Sequence, residues 1–397
     1  MASKSIDITL INSSIGVAPS ADGVCMLVAK GVAVTDKFAL GTLYLLTKQS
    51  DLDTLGIDAA YDTANNVAIY QHVSEFFGQA GNGAKLWLVG VATNTVYATY
   101  LAGDTFKQLV RTTSIADPLN KAKVIGVAYD VPTAGQSSAD FPSDVTASIP
   151  VLNTALGVLF NEGYEACGVI DGYNMSSTVS VSALSTRAND NAPKVALAIT
   201  GTKNNRVSSV GLVLGKLARI SVGTSIGKVA DGALSFTGDA YLTNGITKVN
   251  TLTPSEVTAL GTKQYLFKRT WLNRSGYYFN DGATCDLAAN AFSSIEFNRI
   301  ANKVASDARL YMQSEIGSNI PVNTSGNADV TYTKPKENQF YNQYLNPLKV
   351  SGDISEATIT ITGVNFVSTR TLNFAIQILP APALSNVVGT IEFVTTI

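Results

Sequence analysis

The sequence is poor in the residues on which most catalytic and metal sites depend. Its 397 residues include one histidine, His72, and three cysteines. Cys25, Cys167 and Cys285 lie far apart and form no C-x-x-C pair. A zinc site and a disulfide framework are therefore not expected, and the cysteines are predicted to be reduced, buried thiols. No metal-ligating or cofactor-binding residue is assigned.

Charged side chains are also scarce. They make up 15% of the chain, against about 25% in an ordinary soluble domain. The net charge of −2 argues against a nucleic-acid partner bound through bulk positive charge. The most apolar stretch, 208–225, contains Lys216 and Arg219, so no membrane insertion is expected, and the first residues show no secretory signal. We attribute the low charge to burial between protein subunits.

Motifs of known enzyme classes are incomplete. Residues 223–227 match G-x-S-x-G, but that motif requires a histidine later in the chain, and His72 precedes it. A P-loop here would need glycine at 222 and serine or threonine at 229, and both positions are valine. The segment is predicted to be a glycine-rich turn. His72 is predicted to be solvated beside Glu75. No catalytic residue is assigned, and the protein is not expected to be an enzyme.

Residues 24–235 are predicted to form an α/β domain. Short apolar segments alternate with amphipathic helical patterns, an order typical of a largely parallel sheet. The predicted strands are 24–28, 43–46, 86–91, 124–129, 166–170 and 195–199. One helix carries Val67, Tyr70, Val73 and Phe77 on its apolar face and is predicted to close at the glycine cluster Gly78, Gly81 and Gly83.

Residues 236–379 are predicted to form an α+β domain. Strands are expected at 265–270 and 276–279, followed by a long helix over 287–315. The apolar stripe of this helix has the spacing of one buried face. It consists of Phe297, Ile300, Val304, Ala308 and Tyr311. Residues 317–341 are predicted to be irregular, and two alternating segments near 358–362 and 372–378 are predicted to form a β-hairpin.

Both ends of the chain carry a strand pattern that a loop separates from the body. Residues 1–23 form the N-terminal strand and linker, and residues 380–397 form the C-terminal linker and strand. A single strand with an open edge must pair. It can fold onto its own sheet or add to the sheet of a neighbouring subunit. The pattern alone leaves both options open.

Three segments carry a resemblance to a known family. They are 221–232 (SVGTSIGKVADG), 276–285 (GYYFNDGATC) and 295–309, whose core is NRIANKV. Together with the C-terminal hairpin and last strand, they resemble contractile tail sheath proteins. The sequence is most similar to the sheath-like family of Bacteroidota phages, prophages and phage-derived injection particles, including tailocin-like devices. The resemblance covers about residues 215–397 and the N-terminal strand. The α/β part resembles the family only in its general character.

The resemblance implies a structural function. Sheath subunits assemble in the bacterial cytoplasm as stacked hexameric rings, a helical homopolymer around an inner tail tube protein. The assembly is bounded by baseplate and tail terminator proteins. Contraction, a conformational change of the whole virion tail or particle sheath, drives the tube through a target envelope without a cofactor. The fold class expected is an α/β domain plus an α+β inner sheath domain, with exchangeable β-strand arms at both termini.

The resemblance also directs the choice of candidate site residues. Subunit strand exchange is assigned to Ile6, Ile8, Leu10, Val388, Ile391 and Phe393. The strand acceptor is assigned to Ile359, Ile361, Phe374 and Ile376. Arg299 and Lys303 are assigned to tube contact, with ordinary intrahelical pairs to Glu296 and Asp307 as the alternative.

Two other functions remain open from the sequence. One is a different self-assembling structural protein, such as a type VI secretion sheath component or a shell protein. The other is an α/β enzyme whose site carries no recognised motif. A ligand that stabilises the isolated monomer would favour the enzyme.

Overall fold

A six-stranded sheet organises the first half of the protein. The computed structural model describes residues 21–116, 120–132 and 140–384. The strands are β1 (Cys25–Gly31), β2 (Leu43–Leu46), β3 (Leu86–Ala92), β4 (Val124–Ala128), β5 (Cys167–Asp171) and β6 (Val195–Ala198). Their order is β2-β3-β1-β4-β5-β6, and all neighbours are parallel except β2 and β3. The predicted α/β sheet is confirmed.

Helices cover both faces of this sheet. They are α1 (Asp51–Leu55), α2 (Ala59–Asn65), α3 (Ile69–Ala80), α4 (Tyr97–Ala102), α5 (Asp104–Ala116), α6 (Ser143–Asn161) and α7 (Val210–Arg219). Helices α3 and α7 share one core with the sheet, and α4, α5 and α6 share the other. The central strands are buried on both faces, which explains their continuous apolar runs. The predicted closure of α3 at the glycine cluster is confirmed, since the helix runs through Gly78, ends at Ala80 and has Gly81 as its C-cap.

One helix, α6, is long and apolar enough to span a membrane by length and composition alone. Its side chains Leu152 and Leu156 instead pack over Gly168 of β5, where an added Cβ would lie 2.7 Å from Leu152. The apolar character of α6 is therefore explained by its place in the core.

Helices α3 and α7 cross in close contact because α7 carries two glycines one turn apart. A Cβ at Gly211 would lie 1.9 Å from the His72 carbonyl oxygen, and one at Gly215 would lie 2.6 Å from the Phe76 carbonyl oxygen. The Gly211 amide donates to His72 Nδ1 at 3.4 Å. His72 is fully buried in this crossing. The prediction of a solvated histidine is wrong, because α7 covers the helix face on which it lies.

Gly211→Ala is expected to destabilise the protein by about 3 kcal/mol, since the two helix backbones must separate to admit the methyl group. Gly157→Ala in α6 is the matched control. Its added Cβ meets nothing within 4 Å, so a gain of roughly 0.5–1 kcal/mol is expected from the lower entropy of the unfolded chain. Urea denaturation followed by circular dichroism measures both. Equal effects of the two substitutions would contradict the close crossing.

The second half of the chain continues from the edge of the sheet. Its elements are β7 (Thr200–Gly201), β8 (Tyr241–Leu242), α8 (Pro254–Thr262), β9 (Lys268–Trp271), β10 (Arg274–Phe279), α9 (Ile295–Gln313), α10 (Val330–Phe340), α11 (Asn346–Val350), β11 (Ile354–Thr362), α12 (Phe366–Thr369) and β12 (Asn373–Pro380). A π-helical segment, Tyr341–Leu345, joins α10 to α11. Leu260, Tyr265 and Phe267 pack into the same core as α4 to α6. Helices α9 to α11 and the β11–β12 hairpin enclose a separate core.

The long helix and the hairpin predicted for this region are present, with shorter bounds for the helix. The prediction of irregular structure over 317–341 is wrong at α10. The Asp329 side chain caps this helix by accepting the Thr331 amide. Its buried face consists of Thr333, Glu337 and Phe340, and two of these are polar, so hydrophobic periodicity gave no signal. The proposed domain bounds at 23, 235 and 379 stay a prediction.

Lys268 at the start of β9 is fully buried, and burial lowers its pKa to about 7 from an ordinary value of 10.5, opposed by the nearby Glu75 charge. Since the unfolded chain binds this proton more tightly, stability is lost as the pH falls from about 10.5 to 7. The free energy of unfolding of Lys268→Met, taken relative to that of the wild type, is therefore expected to be higher at pH 6 than at pH 9. In this variant the Thr200 carbonyl, which accepts a hydrogen bond from Lys268 in the wild type, still accepts one from the Ser209 amide, so it is not left without a donor. Urea denaturation at both pH values tests this prediction. A stability difference between the variant and the wild type that is the same at both pH values would contradict it.

Candidate strand-acceptor site

The β11–β12 hairpin places the predicted acceptor residues opposite one another. Ile359 pairs with Ile376, and Ile361 pairs with Phe374, in an antiparallel ladder. Because directly opposed residues share a face, all four side chains point to the same side of the hairpin. Ile359 and Ile361 are buried in the core of α9 to α11, whereas Phe374 is 44% exposed. The hairpin itself is thus confirmed, and its role as an acceptor stays a prediction.

Within the described part of the chain, β11 and β12 form a two-stranded sheet, so one edge of β12 has no described strand beside it. We call this edge the open edge of β12. Its sequence, NFAIQILP, carries no charged residue. Exposed edge strands in stable monomers are normally protected by charges, bulges or a covering segment. An uncharged open edge is a surface suited to pairing with another strand.

An apolar groove of about 410 Å³ runs beside this edge. We call it the α9 groove. Its floor is the half-buried side of α9, formed by Phe297, Ala301 and Ala305. Its wall is the inner face of β12, formed by Phe374, Ile376 and Ile378. A strand added to β12 would send alternate side chains into this groove and the others to solvent.

The predicted strand-exchange residues lie outside the described residues. These are Ile6, Ile8, Leu10, Val388, Ile391 and Phe393. Ala21 and Asp22, where the described chain begins, lie close to α9, and the Asp22 carboxylate is 3.2 Å from Lys303 Nζ. Pro380, the last residue of β12, lines the α9 groove. Asp22, near the start of the described chain, and Pro380, at the end of β12, therefore both lie near α9.

The two residues predicted to contact a tube, Arg299 and Lys303, differ in burial. Arg299 is buried, and its guanidinium donates to the carbonyl oxygens of Leu217, Ile220 and Ser221 at 2.9–3.2 Å. These carbonyls end α7, so Arg299 ties α9 to the C-terminus of that helix. Arg299 is only 3% exposed in this structure, and its contact with a tube stays a prediction.

Lys303 is partly exposed. Its ammonium group lies 3.4 Å from Asp307, which confirms the predicted intrahelical pair, and it also pairs with Asp22. Those carboxylate charges raise the pKa of Lys303 against the effect of its partial burial. Arg299 and Glu296 form no ion pair within the described residues, and contact of Lys303 with a tube stays a prediction.

The three segments that carry the sheath resemblance meet in space. Gly227 of the first lies against Asn280 of the second, where a Cβ would be 2.4 Å from the Asn280 carbonyl oxygen. Gly282 lies against Glu296 of α9, and Arg299 reaches the Ser221 carbonyl. These close contacts hold the junction between the α/β sheet and α9. The segments therefore build the fold, and the open edge of β12 lies elsewhere.

The residues considered for catalysis do not form a catalytic pair. The Ser225 hydroxyl accepts from the Gly227 amide in a glycine-rich turn, as predicted, while His72 lies in the α3–α7 crossing. All three cysteines are buried and free, which confirms that prediction. Burial raises the pKa of the Cys167 thiol to about 11, so it is protonated at neutral pH. No group of three His, Cys, Asp or Glu side chains in the described ranges is arranged to hold a metal ion.

Sequence reasoning recognised Phe297 as part of the apolar stripe of α9 but missed Ala301 and Ala305, which complete the floor of the α9 groove. These two alanines follow Phe297 at four-residue spacing. Alanine gives a weak hydrophobic signal, and only the position of β12 shows that this face is half-covered. A second face with the repeat F-x-x-x-A-x-x-x-A was the available sign.

Solved structures of contractile sheaths have this fold. The helical sheath of the anti-feeding prophage in its contracted state matches with a TM-score of 0.63 and 11% identity, over 100% of this chain and 99% of that one. The contracted PVC sheath of an extracellular contractile injection system matches at 0.61 and 13%, over 100% and 98%. The sheath tail protein of Desulfitobacterium hafniense matches at 0.50 and 10%, over 95% and 100%.

The fold is therefore that of a contractile tail sheath protein, as the sequence resemblance indicated. The chain belongs to the family described as "DUF2586, N-terminal domain", whose pattern matches residues 3–283. No curated protein sequence matches it.

Proposed function

We propose that this protein is the structural subunit of a contractile sheath. It polymerises as stacked six-fold rings around an inner tube and contracts to drive the tube through a target envelope. The observation that supports this most directly is the open, uncharged edge of β12 beside the α9 groove. It occurs in a chain that aligns over its full length with sheath subunits.

Strand addition supplies both strength and register to such a polymer. Backbone hydrogen bonds along β12 hold the added strand, and alternate apolar side chains enter the groove. Each Ile, Val or Phe side chain buried there contributes about 1.5–3 kcal/mol. Since donor and acceptor are different surfaces of one chain, the contact is heterologous and generates rings or helices rather than a closed dimer. The donors are the terminal residues Ile6, Ile8, Leu10, Val388, Ile391 and Phe393.

The partners follow from the same proposal. They are further copies of the chain, an inner tube protein, a baseplate and a terminator, in a virion tail or injection particle assembled in the bacterial cytoplasm. One of the matching structures is an anti-feeding prophage baseplate, which supports the baseplate association. Contraction needs no cofactor because the energy is stored in the assembled subunits, and we infer no enzymatic activity.

Removing either terminal segment is expected to give folded subunits that do not polymerise, because each deletion removes one set of donor side chains. The deletions are residues 1–12 and 384–397, which lie outside every described helix and strand. Circular dichroism checks the fold, and negative-stain electron microscopy checks assembly. Normal polymers from both truncated chains would rule out strand exchange by the termini.

A further inference from the structure

The open edge of β12 poses a problem for a subunit that has not yet assembled. An uncharged open strand edge beside an apolar groove is a site of uncontrolled pairing. Phe374 and Phe292, which both line the groove, are each 44% exposed. A subunit can stay monomeric before it joins a sheath only if this surface is covered.

The chain itself provides a segment of suitable length and position. β12 ends at Pro380, which lines the groove, and residues 381–384 lead from it to the thirteen residues 385–397. A connection of about six residues, 381–386, is long enough for an antiparallel hairpin loop. A strand that begins near Val387 would thus return along the open edge of β12 in the antiparallel sense.

The side-chain pattern of this segment fits the groove. Ile391 and Phe393 lie two residues apart, so both would face the groove when paired with β12, while Thr390 and Glu392 would face solvent. The inner face of β12 alternates in the same way, with Phe374, Ile376 and Ile378 facing the groove and Gln377 exposed. An apolar face therefore meets an apolar face, and the glutamate stays in water.

We propose that, in the unassembled subunit, residues 385–397 occupy the acceptor edge of their own β12 and cover the α9 groove. This inference rests on the strand-acceptor function proposed above and adds a self-covered state to it. Assembly then exchanges the chain's own strand for one from a neighbour. Because own and foreign strands make similar contacts, the exchange is close to neutral in contact energy, and the covered state acts as a barrier to premature polymerisation.

The test uses a synthetic peptide of residues 385–397 and three full-length chains. They are the wild type, Ile391→Asp/Phe393→Asp, and the control Thr390→Asp/Thr396→Asp, which adds the same charge at positions of the opposite parity. Chains are kept at submicromolar concentration, and sedimentation verifies that they are monomers. The Ile391→Asp/Phe393→Asp chain is expected to bind one peptide at least about tenfold more tightly than the other two, because its groove is vacated. Adding Ile376→Asp to it is expected to abolish that binding.

Each other outcome overturns the proposal in a distinguishable way. Equal binding by all three chains would mean that the groove is open in the monomer, which leaves strand acceptance intact but removes the covered state. Binding by none would mean that the groove does not accept this segment at all, against the proposed function as well. Peptide binding that survives Ile376→Asp would place it outside the groove. A wild-type chain that is polymeric even when dilute would show that the segment is held by a neighbour.

Discussion

Ile376→Asp is expected to abolish polymerisation while the subunit stays folded. Ile376 lies in the middle of β12 and faces the α9 groove. It is half-buried and packs against the core of α9 to α11, so the carboxylate keeps only part of its hydration and the cost to folding is about 2 kcal/mol. In the assembled state an added strand would enclose the carboxylate among apolar side chains without a partner, at a cost of several kcal/mol per contact. A polymer repeats that cost at every subunit.

Gln377→Asp is the matched control for this substitution. Gln377 is the next residue of the same strand, lies opposite Thr358 and is exposed on the outer face of the hairpin. The substitution Gln377→Asp introduces the same charge and the same weak strand propensity as Ile376→Asp, but its carboxylate stays in water. Light scattering and electron microscopy should show polymers from Gln377→Asp and none from Ile376→Asp. Loss of assembly in both would mean that charge on the hairpin, and not groove occupancy, controls the polymer.

Arg299→Gln is expected to destabilise the folded subunit by about 3 kcal/mol, and Lys303→Gln by about 1 kcal/mol or less. The first substitution removes the charged donor to the Leu217, Ile220 and Ser221 carbonyls, two of which belong to the C-terminal turn of α7. Glutamine cannot reach all three acceptors. The second substitution removes a partly exposed ammonium group that pairs with Asp22 and Asp307.

Urea denaturation of the two variants also separates the structural role from tube contact. If Arg299 ties α9 to α7, the loss of stability appears in the isolated subunit, without any tube present. A variant Arg299→Gln of normal stability that no longer assembled on a tube would contradict this account. It would support the tube-contact hypothesis instead.

The sheet was predictable from the sequence because its strands are buried on both faces. Such strands are short, uninterrupted apolar runs, and the segment predicted at 124–129 matches β4, all of whose residues are buried. Helix α10 was not predictable in this way, because its buried face includes Glu337, whose carboxylate accepts the Ile361 amide of β11. A helix held by a buried polar contact has no apolar stripe to detect.

The candidate site was predicted in part. Strict alternation identified the hairpin and placed Ile359, Ile361, Phe374 and Ile376 on one of its faces, since alternation reports a strand with one buried face. Their acceptor role stays a prediction. The groove was not predicted, because its floor belongs to a helix distant in sequence and consists largely of alanine. The burial of His72 and Arg299 was missed for a related reason. Their burial depends on α7 packing against α3 and α9, a tertiary contact that local periodicity does not encode.

The central claim is that this chain assembles into a sheath through the open edge of β12. Negative-stain electron microscopy of the purified full-length protein at high concentration tests it most directly, with and without a co-expressed tube protein. The account predicts hollow tubes or stacked rings with six-fold end views. A chain that stays monomeric under all salt and protein concentrations, and also when its tube partner is present, would contradict it.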